Sequence, residues 1–104
     1  MFSEIAEDNL EHLLTSSAKV MVQYGATWCG NCKIIKPKFK RLAEEHEGIE
    51  FYYVDAEKFP NSRKFANVNN LPTFAGFVNG RLVKEAQGNK IETIQEVLHE
   101  VTTN

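Results

Sequence analysis

Two cysteines, Cys29 and Cys32, are the only thiols in the chain, and they stand three positions apart in the stretch TWCGNCK. A pair at this spacing can be half of a metal site, a structural disulfide or a redox couple. On a helix, side chains tilt toward the helix N-terminus, so the sulfur of Cys32 is expected to point back toward Cys29. The two Cα atoms of such a pair lie about 5 to 6 Å apart, a distance that permits a disulfide.

The surrounding sequence predicts that the cysteine pair begins a helix. Residues 20–24 are apolar apart from Gln23, which is typical of a buried strand, and a short loop separates them from the cysteines. At a helix N-terminus, unpaired N–H groups and the helix dipole favour a thiolate, so we expect a lowered pKa for Cys29. Lys33 adds a positive charge nearby. This pattern favours thiol–disulfide exchange, with Cys29 as the nucleophile and Cys32 as the resolving thiol.

Other chemistries fit the cysteine pair less well. A zinc site needs about four ligands, and only His12, His46 and His99 could join the two sulfurs. These histidines fall on predicted helices in polar surroundings, at spacings that match no zinc-finger pattern, so we expect them at the surface and predict no bound metal. A structural disulfide would span only three residues and cross-link almost nothing.

Length and composition limit the remaining choices. With 104 residues, of which 42% are hydrophobic and 25% charged, residues 1–104 are predicted to form a single domain. A net charge of -2 provides no basic field for nucleic acid or an anionic membrane. The first residues lack the pattern of a secretory signal, and no run is long enough for a membrane span. We therefore expect a cytoplasmic protein. Because structural disulfides do not persist in a reducing compartment, two lone neighbouring cysteines there indicate a reactive pair or a metal site.

Helical and extended periods alternate along the chain and then give way to two neighbouring strands. Asn79 and Gly80 provide a two-residue hairpin signal, and Asn89 with Glu92 resembles a capping box before the last helix. The pattern indicates an α/β fold with a mixed sheet and helices on both sides. The predicted elements are helix 10–14, strand 20–24, helix 29–46, strand 49–54, a short helix after residue 60, strands 73–78 and 81–86, and helix 91–101.

The motif WCGNCK after a buried strand, with Pro37 five residues beyond the second cysteine, resembles the thioredoxin family, whose signature is WCGPCK. The resemblance covers nearly the whole chain. It implies the thioredoxin fold, with a central mixed sheet of four to five strands flanked by four helices, and the activity of a protein disulfide reductase. Further matches are Trp28 before the first cysteine, the loop Leu71, Pro72 and Thr73, the hairpin residues Asn79 and Gly80, and Gly88.

The same resemblance implies a substrate groove. In this family the bond before the loop proline, here Pro72, is cis and faces the disulfide, and the preceding residue, here Leu71, offers its N–H and C=O to an extended substrate segment. Thr73 and Gly88 would line the groove, with Trp28 beside it. Without the family context, Pro72 would be read as an ordinary trans turn.

The resemblance also implies how the protein would be used. The redox-active disulfide serves as the only redox group, so no bound cofactor is expected. Electrons would come from a thioredoxin reductase-like donor, an NADPH-dependent flavin enzyme, and would pass to disulfides of protein substrates. We expect a monomer with no nucleic-acid or membrane partner.

Three residues depart from the family pattern, although Gly30 and Lys33 keep it. Gln23 replaces a buried aspartate and cannot titrate, which predicts a slower resolving step whose pH profile is set by the thiols. Asn31 replaces proline and restores an N–H near Cys29, which predicts a couple more oxidising by about 30 mV, equivalent to ~1.4 kcal/mol. Gly25 replaces a second tryptophan, which changes the surface offered to partners.

Two other functions remain open on the sequence alone. A thiol oxidase or disulfide isomerase of the same fold would use the same cysteines, with Asn31 and Gln23 shifting the balance away from reduction. A binding or accessory subunit would use the groove around Trp28, Leu71 and Gly88 without turnover. Insulin reduction distinguishes the first alternative, and replacing both cysteines by serine distinguishes the second.

Overall fold

A mixed sheet of five strands forms the centre of the computed structural model, which describes all 104 residues. The strands lie in the order β1-β3-β2-β4-β5, so β2 is central. Strands β1, β3 and β2 run parallel, whereas β4 is antiparallel to both β2 and β5. The strands are β1 (Phe2–Glu4), β2 (Lys19–Gly25), β3 (Glu50–Asp55), β4 (Thr73–Val78) and β5 (Arg81–Gln87).

Four helices cover the sheet, as the sequence predicted. The apolar residues that the two longer helices bury belong to one cluster. Leu10 and Leu14 of the first short helix belong to a second cluster on the opposite face, together with Phe59, which precedes the other short helix. None of these helices combines the length and the hydropathy that a membrane span requires. The helices are α1 (Leu10–Ser16), α2 (Gly30–Glu45), α3 (Pro60–Arg63) and α4 (Ile91–Thr103).

Strand β2 supplies side chains to both faces because successive residues of a strand point in opposite directions. Met21 packs in the cluster below α2 and α4, and Gln23 turns to the same side, toward the α2 residue Cys32. Val22 and Tyr24 pack in the cluster below α1 and α3. All four side chains are buried, so the strand that leads into the cysteine pair is fixed from both sides.

Helix α2 is anchored by an aromatic cluster. The ring of Phe39 lies 5.0 Å from that of Phe51, 5.7 Å from that of Phe74 and 6.1 Å from that of Phe2, measured between centroids. Such pairs contribute about 0.5–1.5 kcal/mol each beyond the burial of their area. The helix continues through Pro37 and keeps its buried face against the sheet. Its first turn, which carries the cysteines, is therefore held by packing further along the helix.

One strand was missed by the sequence analysis, and one expectation about local structure was wrong. The edge strand β1 was not predicted, because three residues are too short to show a period of two. Helix α4 begins after Lys90, which makes no side-chain capping bond, so Asn89 and Glu92 do not form a capping box. The predicted hairpin is present, since Val78 pairs with Arg81 across the two-residue turn.

Candidate active site

The cysteine pair lies where β2 passes into α2. The N–H of Cys29 donates to the carbonyl of Ala26 at 3.1 Å, which closes the short loop after the strand. Cys29 caps the helix, because its Sγ accepts the N–H of Cys32 at 3.1 Å and its carbonyl accepts the N–H of Lys33 at 3.3 Å. The predicted position at a helix N-terminus is thus confirmed. The two cysteines form a disulfide with Cα atoms 5.3 Å apart.

The surroundings of the disulfide change from exposed to buried over one helical turn. Both cysteines are buried, but Cys29 is 5% exposed and Cys32 is 0% exposed, so only the first has any accessible surface. Trp28 is 66% exposed beside it. Gly30, Asn31 and Lys33 are also exposed on the first turn of α2. A partner molecule can therefore approach Cys29 along this surface, whereas it cannot reach Cys32.

Gln23 forms the inner wall of the site. Its side chain is completely buried, and its Nε2 donates to the carbonyl of Cys32 at 3.1 Å. Its Oε1 is the one buried side-chain polar atom in the chain that has no hydrogen-bond partner. Gln23 thus ties β2 to the first turn of α2 and leaves an acceptor free at the level of the buried cysteine.

The loop before β4 meets the disulfide from the other side. The bond between Leu71 and Pro72 is cis, as the resemblance implied, and Leu71 packs against the cluster of Ala26 and the two cysteines. Gly88, with φ of 141°, donates its N–H to the carbonyl of Pro72 at 3.3 Å. Thr73 is buried and pairs with Tyr24 across the sheet. Residues far apart in sequence are thus brought to one edge of the disulfide.

The backbone of Leu71 is available for a partner. Leu71 lies outside the strands, and neither its N–H nor its C=O makes a hydrogen bond within the chain. The residue is half-buried and packs beside Cys29. An extended peptide could pair with the N–H and C=O of Leu71 as an added strand.

Tyr53 is a residue of the site that sequence reasoning missed. It pairs with Gln23 in the sheet, and its hydroxyl lies where a Cβ on Gly25 would be. Burial, together with the charge of Asp55, raises the pKa of Tyr53, and the ammonium of Lys36 lies 4.4 Å from the centre of its ring. The available signal was Gly25 itself, because a glycine inside a strand often marks the close approach of another group.

A cleft of about 300 Å³ with five charged side chains in its lining opens between this tyrosine and the start of α2. Lys36 pairs with Glu4 at its rim. Thr27 and Lys33 continue the cleft toward the disulfide. The surface on this side of Cys29 is therefore charged, whereas the side of Trp28 and Leu71 is apolar.

The three histidines lie away from the cysteines. His12 and His99 are exposed on α1 and α4, and His46 is half-buried at the end of α2. No three side chains of the types that bind metals come together anywhere in the chain. The disulfide between Cys29 and Cys32 can itself accept two electrons, and the resulting dithiol can return them.

Comparisons with known proteins agree with this geometry. The thioredoxin family model matches residues 2–100. A thioredoxin of Aspergillus fumigatus is 33% identical over 101 residues, which cover 94% of each chain. The reduced thioredoxin of Schistosoma mansoni has a TM-score of 0.86 at 34% identity, over 96% of this chain and 97% of that one.

A third similar structure is a complex of ferredoxin:thioredoxin reductase and thioredoxin f2. Its matching chain has a TM-score of 0.84 at 24% identity, over 94% of this chain and 92% of that chain, which supports the fold. The family match over almost the whole sequence, together with the disulfide at the start of α2, decides the assignment. The chain belongs to the thioredoxin family, and it is a protein disulfide oxidoreductase that works by dithiol–disulfide exchange.

Proposed function

We propose that Cys29 is the attacking nucleophile and Cys32 the resolving thiol of this reductase. The difference in accessibility supports this order, because Cys29 reaches the surface and Cys32 is fully buried. The helix start supports it further, since the N–H of Cys32 already points at the sulfur of Cys29. A hydrogen bond and a helix dipole directed at one sulfur favour its thiolate. We expect the pKa of Cys29 to lie below that of an ordinary thiol.

The proposed exchange proceeds in two steps. The Cys29 thiolate attacks one sulfur of a substrate disulfide, so that a mixed disulfide forms and the other substrate sulfur leaves as a thiolate that takes up a proton. Cys32 then loses its proton and attacks the Cys29 sulfur. The second substrate sulfur leaves and is protonated, and the disulfide between Cys29 and Cys32 forms. Two electrons and two protons pass to the substrate.

We propose that substrates lie along the edge formed by Trp28, Leu71 and Gly88. The free N–H and C=O of Leu71 support this, because an extended segment can bond to both. Pro72 and Thr73 would hold that backbone in place, since Pro72 is tied to Gly88 and Thr73 to β2. Trp28 would cover the apolar side of the bound segment. Specificity would then come from surface shape and main-chain bonding rather than from one pocket.

The other residues around the disulfide would adjust the redox potential of the cysteine pair. Gly30 and Asn31 leave the surface beside Cys29 open, and Asn31 supplies an N–H where proline has none. Lys33 would place a positive charge near the reacting sulfurs. Gln23 would hold the inner cysteine without exchanging a proton.

We further propose that residues 1–104 form one domain that works as a monomer in the cytoplasm. Its electrons would come from a thioredoxin reductase-like enzyme that uses flavin and NADPH. The thioredoxin family match supports a reductase donor, and one fold neighbour is a chain in a complex with ferredoxin:thioredoxin reductase. Measuring the reduction of the Cys29–Cys32 disulfide by a flavin and NADPH reductase, and separately by ferredoxin:thioredoxin reductase, would identify the class of donor.

The decisive experiment captures the mixed disulfide. Cys32→Ser protein is incubated with insulin or a lysate, and covalent adducts are separated without reductant. We expect covalent adducts at Cys29, and we expect dithiothreitol to reduce the mixed disulfide and release the bound protein. Cys29→Ser is the matched control and should capture almost nothing, because Cys32 is buried. Equal capture by both variants would contradict the assigned order.

A further inference from the structure

The buried side-chain amide of Gln23 has an acceptor oxygen, Oε1, that receives no hydrogen bond. Its orientation is fixed, because the carbonyl of Cys32 can only accept and so must face Nε2, at 3.1 Å. The oxygen Oε1 is therefore the free atom, and it is buried with the rest of the side chain. A buried acceptor without a partner is rare in native proteins and calls for an explanation.

The explanation lies in the redox state of the neighbouring cysteine. In the oxidised chain the sulfur of Cys32 is bonded to that of Cys29 and has no hydrogen. Reduction breaks this bond and gives Cys32 a thiol, which is a new buried donor on the residue that the Gln23 amide already contacts. We infer that Oε1 of Gln23 accepts the thiol hydrogen of Cys32 in the reduced protein, and that this bond favours the reduced form of the couple.

The atoms of the reduction balance in this scheme. A donor dithiol supplies two electrons and two protons: its own disulfide forms, the bond between Cys29 and Cys32 breaks, and each cysteine gains a hydrogen. The hydrogen on Cys32 is the one that Gln23 accepts. The Gln23 Nε2 bond to the backbone is present in both states and cancels from the equilibrium. Of the two hydrogen bonds of the Gln23 amide, only the one to Oε1 differs between the oxidised and the reduced protein.

The scheme makes Gln23 a positioning residue for the known exchange. It deepens the proposed function, on which it rests because it takes Cys32 as the inner thiol. The hydroxyl of Tyr53, the residue that pairs with Gln23 in the sheet, is directed at Gly25. Oε1 has no bond to that hydroxyl.

The first test measures the redox equilibrium with glutathione. Gln23→Met keeps the length of the side chain and removes Oε1. We expect the equilibrium constant to shift about tenfold toward the disulfide, which corresponds to about 30 mV. Tyr24→Phe is the matched control: it removes a buried hydroxyl from the next residue, which faces the opposite side of the sheet, and should leave the constant unchanged. An unchanged constant in Gln23→Met, or a shift toward the dithiol, would overturn the inference.

The second test observes the bond itself and does not depend on the stability of one variant. Cys29→Ser leaves Cys32 as the only thiol, so its S–H stretching band in the infrared spectrum is unambiguous. We expect this band at a lower frequency than that of an alkyl thiol in an alkane solvent, and we expect Gln23→Met added to Cys29→Ser to move it back. A band at the position of the unbonded thiol would refute the bond. Neither test uses substrate turnover, so each remains informative if the capture experiment fails.

Discussion

The two faces of the sheet are held together by different interactions, as two adjacent residues of β2 show. On the face covered by α2 and α4, packing is apolar and aromatic around Phe39, and Gln23 keeps one buried acceptor free. On the face covered by α1 and α3, the hydroxyl of Tyr24 donates to the carbonyl of Ser62 at 2.7 Å. The Oγ of Ser62 in turn accepts the N–H of Leu10 and donates to Asp8.

The difference follows from helix length. Helix α2 has 16 residues and α4 has 13, so their buried faces can be held by side-chain packing alone. Helices α1 and α3 have seven and four residues, and a polar network around Ser62 compensates for the smaller contact area. The face with the satisfied network is structural, whereas the face with the free acceptor carries the disulfide. Changes on either face should therefore be compared in the oxidised and the reduced protein.

The largest effect is expected from Phe39→Ala. Removing this ring leaves a cavity and breaks three aromatic contacts, so we expect a loss of about 3 to 5 kcal/mol in the free energy of unfolding. Phe77→Ala is the matched control on the other face, where the ring is equally buried but has no aromatic partner. Urea titrations should show the larger loss for Phe39→Ala in both redox states. A larger loss for Phe77→Ala would reverse the comparison of the faces.

A second prediction concerns the close contact between Gly25 and Tyr53. A Cβ at position 25 would overlap the tyrosine hydroxyl and crowd its ring, so Gly25→Ala should cost about 1 to 3 kcal/mol. Tyr53→Phe should recover part of this loss, because the hydroxyl disappears while the ring remains. A double-mutant cycle in urea measures the coupling. Additive effects would show that the two residues do not meet.

The third prediction tests the polar network on the α1 and α3 face. Tyr24→Phe removes the donor to the buried carbonyl of Ser62, so we expect a loss of about 1 to 2 kcal/mol in the free energy of unfolding. The loss should be the same for the oxidised and the reduced protein, because the disulfide lies on the other side of the sheet. A loss confined to one redox state would show that the stability of this face also depends on whether the cysteines are oxidised or reduced.

Much of this fold could be predicted because its signals are local. The long helix, the hairpin at Asn79 and Gly80, and the cysteine pair at a helix start each follow from residue types a few positions apart. The resemblance to the thioredoxin family then supplied Leu71, Pro72 and Gly88, whose contacts around the disulfide depend on the order of the strands.

The features that escaped prediction depend on residues distant in the chain. Strand β1 exists because β3 offers it an edge, and three residues carry no detectable pattern. The contact of Tyr53 with Gly25 depends on the register between β3 and β2. The capping box at Asn89 was a local pattern that the structure does not use, because the helix starts one residue later. That Oε1 of Gln23 has no hydrogen-bond partner can be established only from the complete three-dimensional structure.

A fourth prediction concerns the exposed start of α2. Asn31→Pro removes a backbone N–H beside Cys29 and stiffens the first turn, so the thiolate should be less stabilised. We expect a potential more reducing by about 30 mV, equivalent to ~1.4 kcal/mol, in a titration against glutathione. Asn31→Ala keeps the N–H and is the matched control. An equal shift in both variants would assign the effect to the asparagine side chain instead of its backbone.

The smallest effect is expected at Asp8, at the edge of the polar network, and only in acid. Partial burial opposes ionisation, but hydrogen bonds from Ser62 and from the N–H of Asn61 outweigh it and hold the pKa of Asp8 below its usual value. A carboxyl whose pKa is lowered by folding stabilises the native state above its ordinary pKa, and this contribution is lost as the pH falls through the lowered value.

Asp8→Asn should therefore reduce the free energy of unfolding near neutral pH, and the deficit should shrink as the pH falls below about 4. Urea titrations from pH 7 to pH 3 would measure it. Glu7→Gln removes a neighbouring carboxylate that accepts no hydrogen bond through its side chain, and so controls for the loss of surface charge. A deficit in Asp8→Asn that stays constant with pH would mean that the geometry of the network, and not the charge of Asp8, holds α3 against the sheet.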